Sequence, residues 1–257
     1  MPASLYDSIA KEWDCTRRNF WGEFEFARGF LNSKKILDAG CGNGRLVRWL
    51  RESGFSGEYL GVDNSKELLK LAKKNFPDER FELHNLRELT GSGFDAIFCI
   101  AVLHHFRSKE ERLRVLKNFH ASTQRNGKIF ITVWNLFQPR FFRHLFKSRS
   151  RDCEIEFAKK GKRFIHAFSK RELKDLLKRA GFQKAEVFYA RHSQRTNFFR
   201  GRNLIAIAQK GKTNLKIPKK KFSKEKLLAR FPKKSRPTDS SNRAPISIFS
   251  RFLFLQN

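Results

Sequence analysis

The chain has 257 residues, a formal net charge of +30, 40% hydrophobic content and 28 Phe, enough for one substantial core with a modest appendage. The charge exceeds what solubility requires and implies a polyanionic partner, nucleic acid ahead of an anionic membrane surface. Cys15, Cys41, Cys99 and Cys153 are isolated, with no C-x-x-C pair and no His at ligand spacing, which excludes a zinc site and implies a reducing cytoplasm.

No stretch approaches the roughly 20 apolar residues of a membrane span, and charges throughout the first 30 positions argue against a signal peptide. Residues 1–33 read as a helical lead-in. Lys35–Ala39 is a short apolar strand, and Arg45–Glu52 alternates apolar and basic residues at helical spacing until Gly54. Tyr59–Asp63 is a second strand. Ser65 then caps a helix through Phe76, ended by Pro77. Arg80–His84 is a third strand, and Phe94–Ala101 is the nearly continuous apolar run of a central parallel strand. Ser108–Glu111 is a capping box that opens a helix to about Ala121, followed by a fifth strand, Lys128–Trp134. A second capping box, Ser169–Glu172, starts a helix that stops at Gly181. Ala185–Ala190 and Leu204–Ala208 close the series as two strands separated by a polar, basic loop. The alternation predicts an α/β fold: a Rossmann-like, seven-stranded, mostly parallel sheet with the last strand antiparallel.

Two regions break this rhythm. Residues 136–167 carry nine Arg and Lys interleaved with Phe137, Phe141, Phe142, Phe146, Phe157 and Phe164, a basic lid whose aromatics either stack on bases or form its own small core. Residues 211–257 are a Lys/Pro/Ser-rich tail expected to be mostly disordered, with an apolar end, Ile246–Leu255, interrupted by Arg251. The organisation expected is therefore one domain over 1–210 and a basic tail.

The chemistry-bearing stretch is Ile36–Gly44, an apolar strand running into Asp38-Ala-Gly40-Cys-Gly42-Asn-Gly44, with Asp63 at the end of the next strand. A glycine turn that opens a helix lets backbone approach a ligand and aims free N–H groups at it. In the dinucleotide fingerprint G-x-G-x-x-G/A, the third small residue packs helix on strand; that position is Arg45 here, which disfavours NAD. With D-x-G-x-G-x-G in place, the chain over 31–134 resembles the class I S-adenosylmethionine-dependent methyltransferases. The resemblance implies S-adenosyl-L-methionine as cofactor, held by Asp38, Gly40, Gly42, Gly44, the ribose-binding Asp63, Asn85 at the adenine and Ala101 at the fourth strand's end. The family usually has an acid where Asn85 stands, and the amide oxygen can still accept from the adenine amine.

An activated sulfonium needs an aligned nucleophile more than a base. Leu103-His-His-Phe106 is not the N/D-P-P-Y/F turn of amino-nitrogen methylases, and Cys99 lies inside a strand, unlike the nucleophile of pyrimidine C5 methylases. A carboxylate acceptor needs no base and is held by positive charge. Tyr6-Asp7-x-Ile9-Ala10, Thr16-Arg17 with Trp21, Ile100–His105, Trp134, Arg163-Phe-Ile-His166 and Arg202-Asn203 together resemble the eukaryotic tRNA wobble-uridine carboxyl methyltransferases. That resemblance implies esterification of 5-carboxymethyluridine in the anticodon loop of tRNA, with Arg17, Arg163 and His166 on the acceptor side. It also implies Arg191, Arg195, Arg200 and Arg202 on RNA and a small activator protein at a sheet edge. Two other readings stay open: a methyltransferase for a small carboxylate, phenol or quinone, and an RNA-binding domain of this fold without catalysis. A carboxymethoxy uridine would be served by the same chemistry.

Overall fold

The computed structural model describes residues 3–16, 21–141, 143–145, 150–157 and 161–211. Arg17, Phe142, Phe146 and the tail expectation for 212–257 fall outside them.

The central sheet is built outward from the most apolar strand. Strands β1 (Lys35–Ala39), β2 (Glu58–Asp63), β3 (Arg80–Leu83), β4 (Phe94–Ile100) and β5 (Thr123–Trp134) are parallel, in the order β3-β2-β1-β4-β5. Along β4, Ile97 and Cys99 pack into one core, with Leu37, Leu116 and Leu176. Ala96 and Phe98 pack into the other, with Ile36, Leu50 and Phe130. Both faces are covered, which is why β4 reads as an unbroken apolar run.

The helices start where their caps stand. Helix α1 (Ala3–Ser8) and α2 (Ala10–Cys15) are followed by a 3-10 segment, Gly22–Phe30. Its Phe24, Ala27 and Phe30 are buried at intervals of three, the period of that helix. Helix α3 (Arg45–Glu52) follows the glycine turn, and the Ser65 hydroxyl accepts from Leu68 N–H at the start of α4 (Lys66–Asn75). A full capping box, Ser108 with Glu111, opens α5 (Lys109–Ser122). At α6 (Lys170–Arg179) only half of the expected box forms: Ser169 accepts from Glu172 N–H, while the Glu172 carboxylate is drawn to His166 and Arg151.

The second half departs from expectation in three places. Strand β5 begins at Thr123 rather than Lys128, because a register shift against β4, with Asn126 at φ +62°, absorbs the polar residues before Gly127. The lid contains a hairpin, β6 (Asp152–Phe157) with β7 (Gly161–His166), whose Cys153, Ile155 and Ile165 form a small core with Leu136. Phe137 and Phe141 pack against that core, so these two aromatics are lid interior rather than exposed platforms. Finally, β8 (Phe182–Arg191) and β10 (Asn203–Lys210) are joined by an eighth strand of the central sheet, β9 (Gln194–Thr196). It folds back on β8 through His192, at φ +55°, and Ser193. Its wholly polar sequence hid it within the loop. Strand β10 runs antiparallel to both β5 and β8, completing the order β3-β2-β1-β4-β5-β10-β8-β9.

Among the described residues, no helix is long and apolar enough to cross a membrane.

Candidate active site

At the carboxyl ends of β1, β4 and β5 lies a cleft of about 400 Å³, bounded by Asp38, Gly40, Gly42, Arg45, Ala101, His105, Trp134 and Arg163, and on its outer side by Trp13 and Trp21. A smaller recess beside it is lined by Gly40, Asp63, Asn64, His84, Asn85 and Phe106. Two glycines are dictated by this geometry. Gly40 has φ +89°, and a Cβ there would sit 2.3 Å from Val102 Cγ2. Gly44 has φ +84°, with Phe76 Cδ2 2.8 Å from the same imagined atom.

The two acids expected of the cofactor pocket are both buried. Asp63 accepts from Gly42 N–H and Ser65 N–H, each at 3.0 Å, so it ties the glycine turn to the start of α4. Burial raises its pKa, against the pull of those backbone N–H groups. Asp38 accepts from the Tyr59 hydroxyl at 2.8 Å. Burial pushes Asp38 up to about 7; the Tyr59 hydrogen bond and Arg45 oppose that rise, while the charge of Asp63 adds to it. Ala101 takes φ +55°, its N–H shared between the carbonyl and hydroxyl oxygens of Thr132. A non-glycine residue held in this region beside a cleft is strained by its surroundings. Asn85 lies in the recess with Asp63; its side-chain oxygen accepts from Arg87 N–H and caps the short turn Leu86–Glu88.

The N-terminal helices cover this pocket. Asp7 accepts from the Ser65 hydroxyl at 2.6 Å and from Glu67 N–H, and Asp14 accepts from Asn43 in the glycine turn. Trp13 Nε1 lies 3.6 Å from where a Gly42 Cβ would be. Tyr6 donates to His105 Nε2 at 3.0 Å, and His105 Nδ1 donates to the Phe164 carbonyl at 2.8 Å. Burial, with the nearby Arg163 charge, pushes His105 down to about 3, although the bond to Phe164 opposes this. His104 is fully buried, accepts from Trp134 N–H at Nδ1, and is likewise held neutral by burial.

On the far wall the Arg163 guanidinium, 4% exposed, lies 5.0 Å from the Trp134 ring centre and 6.0 Å from that of Trp13. Arg163 therefore lines the cleft. His166 does not: it lies outside the lining, held between Asp152 at 2.6 Å and Glu172 at 2.8 Å, where it braces the hairpin against α6. Because β7 alternates faces, Arg163 reaches the cleft while His166, three positions on, points the other way and ends the strand beside α6.

Three contributors escaped the sequence reading. Arg45, which in the sequence only breaks a glycine pattern, lines the cleft with its guanidinium 5.2 Å from the Trp21 ring centre, and burial lowers its pKa. Tyr59 hydrogen-bonds Asp38 from the neighbouring strand, a partnership that follows from the parallel register placing Tyr59 opposite Ile36. Buried Glu23 accepts from Asn203 at 2.7 Å, joining segments 180 positions apart with no local signal.

A family model described as a methyltransferase domain matches residues 18–187. The tRNA (carboxymethyluridine(34)-5-O)-methyltransferase alkbh8 of Xenopus tropicalis is 31% identical over 136 residues, 52% of this chain and 21% of that protein. The demethylmenaquinone methyltransferase of Thermotoga maritima is 30% identical over 138 residues, 49% of this chain and 58% of that enzyme. The chain thus spans about a fifth to three-fifths of these relatives. Among solved structures, a DhpI–SAH complex matches with TM-score 0.62 at 19% identity, covering 81% of this chain and 95% of that one. The methyltransferase in complex with the Haloferax volcanii Trm112 activator matches with TM-score 0.64 at 14% identity, covering 82% and 98%. With more than half its length matched, the chain belongs to the methyltransferase-domain family and has the class I fold of S-adenosylmethionine-dependent methyltransferases.

Proposed function

We propose that the protein uses S-adenosyl-L-methionine to methylate a carboxylate on tRNA, esterifying a carboxymethyl group on the wobble uridine. The observation that carries this reading is the acceptor wall: buried Arg163 set against Trp134, beside a histidine too acidic in its protonated form to serve as a base. An amine or phenol acceptor has to lose a proton, whereas a carboxylate arrives charged and needs only a cation to hold it. The relative from Xenopus tropicalis supports the same substrate class.

The pocket fits the cofactor: a Cβ at Gly40 would fill the floor, and two buried acids face polar groups there. The cofactor supplies an electrophilic methyl group on its sulfonium. Asp63, already fixed by Gly42 and Ser65, takes the ribose hydroxyls; Asn85 and the recess around it take the adenine. Asp38, Gly40, Gly42, Gly44 and Ala101 shape the remaining floor. Trp13 and Trp21 exclude water, and Arg163 orients the acceptor by a two-pronged grip on its carboxylate. Arg17 completes the acceptor side in this reading. Arg191, Arg195, Arg200 and Arg202 carry RNA phosphates, and an activator resembling the Haloferax volcanii partner would cover the edge strand β3, where Leu83 is 51% exposed.

The test is transfer of labelled methyl to bulk tRNA followed by mild alkali. Alkali-labile label on the RNA is expected, and label retained after alkali overturns the ester. The Thermotoga maritima relative favours a second reading, methylation of a small quinone-like molecule. Label on quinones or small carboxylates, with none on tRNA, would establish it.

A further inference from the structure

A second cavity of about 350 Å³ adjoins the cleft. It opens between α1, the segments after β3 and β4, and β7, and shares only His105 and Arg163 with the cleft. The partition between the two is the chain from the Tyr6 hydroxyl through His105 to the Phe164 carbonyl, neutral because His105 stays unprotonated. The positive charge of this cavity therefore comes from Arg87, Arg107 and Lys162 together with Arg163.

Two of these cations have an aromatic and an acidic neighbour. Arg87 lies 5.1 Å from the Phe106 ring centre and is anchored by Glu111 at 2.7 Å. Arg107 lies 4.7 Å from the Phe164 ring centre, with Glu154 at 3.4 Å. A planar guanidinium has five N–H donors, so one carboxylate and one aromatic face leave donors for a further anion. Exposed Lys162 adds a point charge on the β7 side. Guanidinium forks with an ammonium beside them can bind several oxygens of a phosphate diester at once.

We propose that this cavity seats a backbone phosphate of the RNA, belonging to the nucleotide next to the acceptor base, while the acceptor passes beyond the His105 partition into the cleft. The inference rests on the RNA reading of the active site and adds a substrate subsite to it.

The experiment uses the full chain saturated with S-adenosylhomocysteine and a fluorescent anticodon stem–loop RNA, with affinity followed by anisotropy across a salt series. Arg107→Glu/Lys162→Glu is compared with Lys174→Glu/Lys178→Glu, the same charge change on the exposed face of α6. The cavity pair is expected to lose at least tenfold in affinity and about 1 in salt slope, and the α6 pair under threefold. Arg107→Gln/Lys162→Gln serves if the reversed charges unfold the hairpin. No loss in the cavity pair, an equal loss in the α6 pair, or no binding of RNA by the wild type overturns the proposal. Competition by inorganic phosphate as strong as by RNA, lost in the cavity variant, assigns the site to a free phosphate and also overturns it. Cavity-dependent RNA binding without methyl transfer would instead defeat the catalytic reading and leave this subsite standing.

Discussion

The two sides of the cleft are made by different means. The cofactor side is written into backbone: Gly40, Gly42 and Gly44 occupy positive φ within five positions, and Asp63 bonds the turn through main-chain N–H groups. The proposed acceptor side is written into side chains from remote segments, with Tyr6 meeting His105 across 99 positions and Arg163 meeting Trp134 from a separate hairpin. Backbone that must enter the left-handed region can tolerate few residue types, so it leaves a local pattern. Side chains that meet across the fold are constrained only by the final packing.

The hardest break should come on the cofactor side. Gly40→Val places carbon 2.3 Å from Val102 Cγ2 at φ +89°, so affinity for S-adenosylhomocysteine should fall by more than about a hundredfold in calorimetry, with a lowered Tm. Gly54→Ala is the control. Gly54 has nearly the same φ, +90°, but open space around it, so the cost should be about 1–2 kcal/mol with binding intact. Equal loss of binding in both would mean that backbone strain, not the cradle, governs the pocket.

In the proposed reaction on tRNA, Arg163→Ala should reduce kcat/KM by about a hundredfold, and Arg163→Lys by at least about tenfold, since an ammonium cannot grip both oxygens of the proposed carboxylate. Cofactor affinity should stay within about threefold, because the guanidinium sits against Trp134 rather than the glycine turn. A matching loss of cofactor affinity would move Arg163 to the other side of the comparison.

This division also explains what could be read from sequence. The parallel strands, the glycine turn, Asp63 and the Ser108 box were legible because period, caps and positive-φ positions are local. Strand β9 was not, since three polar residues paired only with β8 carry no alternation. The resemblance puts His166 on the acceptor side, yet Asp152 and Glu172 take both of its ring nitrogens. Nothing local says that Glu172 abandons its own capping box for that contact. Arg163 was legible only through resemblance, as one basic residue among many in its segment.

A smaller effect should appear in pH dependence. Asp38 titrates in the folded chain at about 7, against an ordinary value of 3.8, chiefly because it is buried. The folded state then binds more protons than the unfolded chain between those values. Stability is full below the lower one and is lost as pH rises through the higher, by up to about 4 kcal/mol. Asp38→Asn keeps an acceptor for Tyr59 and removes the charge. Its Tm should exceed that of the wild type near about pH 8, and the gap should close toward about pH 4. An Asn variant less stable at every pH would mean that the carboxylate is stabilised in the charged form by its neighbours.

The smallest effect tests the seam between the two sides. The N-terminal helices hold the cofactor side through Asp7 on Ser65 and Asp14 on Asn43, and reach the acceptor side through Tyr6 on His105. Tyr6→Phe keeps the ring contacts with Trp13 and His105 and removes one buried hydrogen bond, at about 1 kcal/mol of stability in denaturant titration. Cofactor affinity should be unchanged, while KM for tRNA rises a few-fold as the partition loosens. Asp7→Ala should do the reverse, costing a similar stability but weakening cofactor affinity, because Ser65 loses its partner beside Asp63. If both variants change both affinities alike, the helices act as one rigid cover. The separation between a backbone-made side and a side-chain-made side would then end at the cleft's rim.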